Sequence, residues 1–243
     1  MTLGRRSLLT MAGCAALASA VPTRGKVRSA PHLLELFTSQ GCSSCPPADA
    51  LLARMAMRDD VLPLAFHVDY WNYLGWQDTF SSPRWTERQR RYAAALGAGV
   101  YTPQIVINGR AQGVGSNESQ VEEFLQTLPP PAKMITATWR EDALRVETDR
   151  LDRSATLQLV WFDRSRTVAV QRGENAGEML RYAHVVRDIR PLAMVNSSAS
   201  TIDVPAHELR DAGHEACALV LQEVYSDKLG RVLSTCMIGN IPV

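Results

Sequence analysis

Read as a pattern of apolar and polar positions, the chain divides into two halves with different rhythms. In the first, His32-Leu33-Leu34-Glu35-Leu36-Phe37 and Val61 to Asp69 are short, nearly continuous apolar runs, the mark of strands buried on both faces. Between them, Leu51, Leu52, Met55 and Ala56 recur at helical spacing over Ala48 to Met57. Strand, helix and strand within about forty residues make a βαβ unit with a parallel sheet. A second helix is expected from Ser82-Pro83, with serine as cap and proline in the first turn, to Gly97 or Gly99. A strand entered through Pro103 and left through an Asn108-Gly109 hairpin turn, a partner strand Ala111 to Val114, and a helix from about Asn117 to Leu128 complete this half.

Pro129-Pro130-Pro131 then forms a stiff link, and the rhythm beyond it shortens to alternating runs. These are Ile135 to Trp139, Ala143 to Thr148, Ala155 to Phe162, Thr167 to Val170, and the pair Cys217 to Tyr225 and Arg231 to Ile238 around a turn containing Gly230. They predict a small antiparallel, sandwich-like β domain. The segment Glu178 to Arg190 is left between helix and strand by its period. If Gly230 forms a bulge, Cys236 sits opposite a residue nearer Leu221 than Cys217, and a bridge between the two cysteines needs another register. The expected organisation is therefore an export segment over 1–20, an α/β domain over 31–128, a linker over 129–132 and a β-rich domain over 133–243.

Composition narrows the classes. With 243 residues, 46% hydrophobic and 21% charged, the chain is long enough to bury one or two cores. A net charge of +1 and the lack of a basic tract with interleaved aromatics argue against a nucleic-acid partner. The N-terminus has the form of a targeting segment: Arg5-Arg6, an apolar stretch from Leu8 to Ala20, and the small-x-small end Ala18-Ser19-Ala20. Gly4-Arg5-Arg6-Ser7-Leu8-Leu9 resembles a twin-arginine signal. Met11-Ala12-Gly13-Cys14 offers the alternative of a lipoprotein box. The apolar stretch is too short to span a bilayer. A periplasmic or secreted chain without an integral membrane segment is the expectation, and oxidised cysteines suit that compartment.

The candidate chemistry sits between the first strand and first helix, in Phe37-Thr38-Ser39-Gln40-Gly41-Cys42-Ser43-Ser44-Cys45-Pro46-Pro47. A C-x-x-C pair at a helix start is what a dithiol/disulfide switch needs, because N-terminal amides favour a thiolate and the second sulfur is near enough to close a bridge. Cys42 is the expected attacking sulfur and Cys45 the resolving one. The bland readings are a structural disulfide and half of a zinc site, and no second C-x-x-C is present to complete the latter. Pro46 and Pro47 push the start of regular helix to about Pro46, which weakens dipole support for Cys42. The loop from Tyr70 to Asp78 begins at the C-terminal end of a strand, where open α/β sheets place sites. Its aromatics are either a plug over the sheet edge or a wall for an extended substrate.

The order of these elements resembles the thioredoxin fold: a central mixed sheet with flanking helices, here followed by the β-rich region. More narrowly, Glu35 to Asp49, His67-Val68-Asp69-Tyr70-Trp71, Tyr101-Thr102-Pro103-Gln104 and Gly173-Glu174-Asn175 resemble an uncharacterised family of secreted bacterial thioredoxin-like proteins, classed as a domain of unknown function. The resemblance implies a cis peptide at Pro103 beside the dithiol, with Thr102 free to pair with an extended substrate. The aromatic that the family usually carries at Gly41 is either missing or supplied by Trp71 or Trp76, and the resemblance implies that Glu35, matched with one residue of slippage, accepts the Cys45 proton. Otherwise Glu35 is a glutamate salt-bridged to an arginine, and His67 is a satisfied core histidine. Arg172, Glu174, Asn175 and His184 line a groove or lie in solvated loops. Catalysis is thus expected of Cys42, Cys45, Pro103 and Glu35, and substrate binding of Tyr101, Thr102, Trp71 and Trp76. Thiol-disulfide exchange on a protein or peptide substrate, with a separate redox partner and no cofactor, is the leading function. A Cu(I) carrier using Cys42, Cys45 and His67, or a non-catalytic secreted binding protein, are the alternatives.

Overall fold

The computed structural model describes residues 30–132, 134–211 and 213–238. The export-like segment and Cys14 lie outside them.

Seven strand and helix elements of the first half follow the apolar pattern closely. They are β1 (His32–Thr38), α1 (Pro46–Met55), β2 (Val61–His67), α2 (Pro83–Leu96), β3 (Gln104–Ile107), β4 (Ala111–Val114) and α3 (Glu118–Thr127). Local chemistry sets their ends. Ser82 Oγ accepts from the Arg84 amide to cap α2, and Gly97 closes that helix at φ 62°. Asn108 and Gly109, at φ 52° and 61°, turn β3 into β4.

The second half contains β5 (Ile135–Arg140), β6 (Ala143–Thr148), β7 (Ala155–Ala169), β8 (Met179–Val195), β9 (Ser200–Pro205), the short α4 (Ala206–Asp211), β10 (Ala216–Tyr225) and β11 (Lys228–Ile238). Its strands do not make a separate sandwich. Four of them extend the first sheet, giving an eight-stranded order β11-β10-β7-β8-β2-β1-β3-β4, while β5-β6-β9 form a small antiparallel sheet. The seam is a parallel pairing of β2 with β8 at Ala65 and Val185. The sandwich-like element survives in part: the small sheet buries Ile135, Leu144, Val146 and Val204 against Leu157, Leu159, Trp161 and Leu219 of the large one. Segments 155–162 and 167–170, expected as two strands, are one, and Glu178 to Arg190 is β-strand.

Strand alternation sorts β1 onto two faces. Leu34 and Leu36 pack with Ala48, Leu51, Leu52 and Met55 of α1, whereas Leu33 and Phe37 pack with Trp85 and Tyr92 of α2. Past the sheet, β7 and β8 continue as a two-stranded arm, from Ser165 opposite Ala183 to Ala169 opposite Met179.

The C-terminal hairpin turns at Ser226-Asp227, two residues earlier than the glycine suggests, and Gly230 lies within β11. A Cβ at Gly230 would fall 2.9 Å from that of Glu223, so the close crossing requires glycine. The register pairs Cys236 with Leu219 and Cys217 with Ile238. Neither cysteine is disulfide-bonded, and burial pushes the Cys217 thiol up to about 12.

Candidate functional site

The site lies where β1 ends and α1 begins. Cys42 and Cys45 are bridged, with Cα atoms 5.4 Å apart. Regular helix starts at Pro46, so Cys45 is the cap residue and Cys42 stands on the lead-in turn. The two prolines also remove two of the amide donors that a helix start normally offers. The next two amides, of Ala48 and Asp49, are both given to the Cys45 carbonyl. Hydroxyls take over at the sulfur: Thr102 Oγ1 donates to Cys42 Sγ at 3.3 Å, and Ser44 Oγ lies 3.4 Å from it. These donors favour a thiolate once the bridge is opened.

Pro103 is preceded by a cis peptide bond, as the resemblance implies. Trp71 lies on the same side. Its indole Nε1 donates to Thr102 Oγ1 at 2.8 Å, and its Cβ would be 3.2 Å from a Cβ placed on Gly41. Trp71 therefore fills the space that an aromatic at position 41 would take. Trp76 is farther out and donates to Gln40 Oε1 at 2.9 Å, while the Tyr101 hydroxyl donates to Gln112. The indoles of the aromatic loop thus brace the segment before Cys42 and the one before Pro103.

Glu35 is not brought to the sulfurs. It belongs to the α2 face of β1, where its carboxylate accepts from Arg88 Nε at 2.7 Å and from the Tyr92 hydroxyl. Arg88 and Tyr92 in turn meet the Gln222 side chain from β10. One residue of slippage in a strand moves a side chain through the sheet, and that is the error in matching Glu35 to a proton acceptor. Its salt-bridged alternative describes it.

A second buried acid, Asp49, lies on the α1 side of the sheet. Its amide bonds to the Cys45 carbonyl at 3.1 Å, so the two side chains lie one turn apart on the same inward face. Both are buried. Burial pushes the Asp49 carboxyl up to about 7, opposed by the imidazole of His67 and aided by the charge of Asp78. His67 Nδ1 is 2.8 Å from Asp78 Oδ2, which also accepts from the Gln40 amide. Burial disfavours the Asp78 charge, but His67 and the amides of Gln40 and Phe80 hold its carboxyl below the ordinary range. Four buried polar atoms of this group have no hydrogen-bond partner among the described residues: Thr38 Oγ1, Asp49 Oδ1, His67 Nε2 and Tyr182 Oη. His67, the imidazole considered as a Cu(I) ligand, is turned toward Asp78.

The tip of the β7–β8 arm covers the pair. Asn175 Nδ2 donates to the carbonyls of Gln40 and Cys42 at 2.9 and 3.0 Å, and Glu174 Oε2 accepts from the Ser43 amide and hydroxyl at 3.0 and 2.7 Å. Those two bonds hold the Glu174 carboxyl below its usual range. With Trp71 and Thr102 on the other side, Cys42 and Cys45 are both 0% exposed. Arg172 is exposed, and His184 instead bonds the Pro63 carbonyl in the sheet interior. Sequence reasoning grouped Glu174 and Asn175 without a role. Asp49 lay inside the quoted motif unremarked, since an acid in a first helical turn is ordinarily a solvated dipole partner.

These features define a mixed α/β protein with a bridged C-x-x-C at the C-terminal end of a central parallel strand, covered by an arm from its second half. The chain belongs to the family described as protein of unknown function (DUF1223), whose model matches residues 33–222. It is similar to protein AGR_C_4864 from Agrobacterium tumefaciens, known from an X-ray crystal structure, at 33% identity and a TM-score of 0.76, over 89% of this chain and 97% of that one. HBP35 of Porphyromonas gingivalis has a similar fold, with 14% identity, a TM-score of 0.56, and coverage of 86% of this chain and 75% of that one. No curated protein matches the chain.

Proposed function

We propose that this chain is an extracytoplasmic thiol-disulfide oxidoreductase of the thioredoxin-like superfamily, acting on protein or peptide disulfides. The observation that carries the reading is the hydroxyl pair at Cys42: Thr102 and Ser44 both address the sulfur that leads, and neither addresses Cys45. In the reduced form the Cys42 thiolate attacks a substrate disulfide, one substrate thiolate leaves, and a mixed disulfide forms. Cys45 then attacks Cys42, closing the bridge and releasing the second substrate thiolate. A separate redox partner reopens the bridge. Export rests on the Arg5-Arg6 segment and its small-x-small end.

A second reading, a structural disulfide in a secreted binding protein, is favoured by the full burial of both sulfurs. The reduction potential of the 42–45 pair separates the two. An exchanging pair is expected above about −300 mV against glutathione or dithiothreitol, with reduction of a protein disulfide that a Cys42→Ser variant lacks. A potential below that value, with no turnover, would leave only the structural bridge.

Burial also requires that the arm move before a client enters. Asn175→Ala removes two hydrogen bonds that exist only when the site is covered, worth roughly 0.5–1.5 kcal/mol each. The open population is expected to rise about tenfold or more, read as faster alkylation of reduced Cys42 by iodoacetamide. An unchanged alkylation rate would mean that the arm does not control access.

A further inference from the structure

Of the two hydroxyls at Cys42, that of Thr102 has its proton directed by a third group. Thr102 Oγ1 lies 2.8 Å from the indole Nε1 of Trp71 and 3.3 Å from Cys42 Sγ. An indole N–H can only donate, and a threonine hydroxyl holds one proton and two lone pairs. At the Trp71 contact Thr102 must therefore accept, which leaves its single proton for the sulfur. Ser44 is not directed in this way: its Oγ is 3.4 Å from Cys42 Sγ, and either atom can be the donor. The line from indole to hydroxyl to sulfur joins three segments far apart in sequence: the loop after β2, the residue before Pro103, and the lead-in turn of α1.

The indole is built into its place. Trp71 precedes one short turn, Asn72–Leu74, whose last amide donates to the Trp71 carbonyl at 3.1 Å. Its side chain packs against the core cluster that holds Phe37 and Trp85. Glycine at position 41 leaves it room, since a Cβ there would stand 3.2 Å from that of Trp71. A hydroxyl that accepts one hydrogen bond is polarised into a better donor of the next, and a charged acceptor gains most from it. The line thus supplies the support that Pro46 and Pro47 withhold from the start of α1.

We propose that Trp71 is a positioning residue for exchange: by occupying a lone pair of Thr102 Oγ1, it turns the hydroxyl proton onto Cys42 and favours the thiolate there over the thiol. The proposal rests on the exchange reading above and deepens it, because the thiolate is the species that attacks. No proton changes hands along the line, as the indole and the hydroxyl each keep their own. The titratable groups around it are Glu174, held on Ser43; Asp49, behind Cys45; Tyr101, turned to Gln112; and Tyr70, whose buried hydroxyl is unpartnered. Among the described residues, the hydrogen bonds to Cys42 Sγ come from Thr102 and Ser44.

The test reads the Cys42 thiol in the reduced, folded chain carrying carbon-13 at the cysteine Cβ, with the Cys42 signal assigned by its loss in Cys42→Ser. Trp71 is replaced by β-(3-benzothienyl)alanine, which keeps the bicyclic shape without the N–H, and separately by phenylalanine. Each is expected to raise the Cys42 titration midpoint by about half a unit to one unit. Thr102→Val is expected to raise it by about one unit or more, and either Trp71 replacement made on top of it to add less than about 0.2 units. A Trp71 effect of equal size with and without the Thr102 hydroxyl assigns it to packing and overturns the proposal. So does a midpoint that the benzothienyl ring leaves in place. The exchange reading is judged apart, by attack of the reduced chain on an aromatic disulfide that releases a coloured thiolate. No release from the wild type at any pH overturns that reading, whereas the Cys42 midpoints decide the role of Trp71 with or without turnover.

Discussion

Replacing Asp49 by asparagine is expected to make the oxidised protein more stable at pH 8, by roughly 2–4 kcal/mol, and to change little at pH 4. The sign follows from where the protons are. In the unfolded chain the carboxyl ionises near 3.8, and in the native one burial holds it to about 7. Between those values the native state binds more protons than the unfolded state, so stability falls as pH rises from about 4 to 7 and is flat beyond. Asparagine keeps the shape, needs no charge, and finds acceptors in His67 Nε2 and Thr38 Oγ1, which are unpartnered in the parent. Denaturant midpoints of the two proteins at pH 4 and pH 8 check this. Equal midpoints at pH 8 would mean that Asp49 carries no desolvation cost. A native site that is less stable than its nearest isostere is a common mark of a group kept for chemistry.

The second large effect is on the opposite face. Arg88→Met is expected to cost about 3–5 kcal/mol, because it strands the Glu35 carboxylate with the Tyr92 hydroxyl and without its cation. Both members of this pair are buried, and Arg88 also lies over the rings of Phe66 and Tyr92, so removing it cuts packing as well. Adding Glu35→Gln to Arg88→Met should restore at least half of the loss, since a neutral amide is far cheaper to bury. Chemical unfolding of the single and double variants at pH 7 measures both. A loss under about 1 kcal/mol for the single variant would show that the interior there is wetter than its burial implies. In either protein the thiol chemistry is expected to be unaffected at temperatures where the fold holds, as Glu35 has no contact with the sulfurs.

How much of this was legible in the chain divides by range of interaction. β1, β2, α2 and the Asn108-Gly109 turn were readable because short-range rules fix them: apolar runs, a serine cap with proline behind it, a pair of residues at positive φ. The cysteines and Pro103 came from spacing and resemblance together. The long β7 was readable only as two shorter strands, and β8 not as a strand at all. Their pairing shifts register at Leu157/Gln158 and at Trp161/Phe162, and their outer ends, with Arg164 and Ser165 exposed, leave the sheet as a two-stranded arm. No local pattern announces that β8 returns to pair with β2, some 120 residues earlier, at a single position. The same distance hid Asp49, whose burial depends on β8 lying beside α1. Glu35 was misplaced for a different reason: a motif match tolerates a slip of one, but a pleated strand does not.

The arm over the cysteines has one more consequence. It is the free end of two strands, one of which, β8, joins the first half of the sheet just inside the base of the arm, where Val185 pairs with Ala65 of β2. Any outward pull on the tip therefore works a lever whose fulcrum is the midline of the protein. Loosening grip at that midline, by changes far from any sulfur, would be felt first as a site that no longer stays shut.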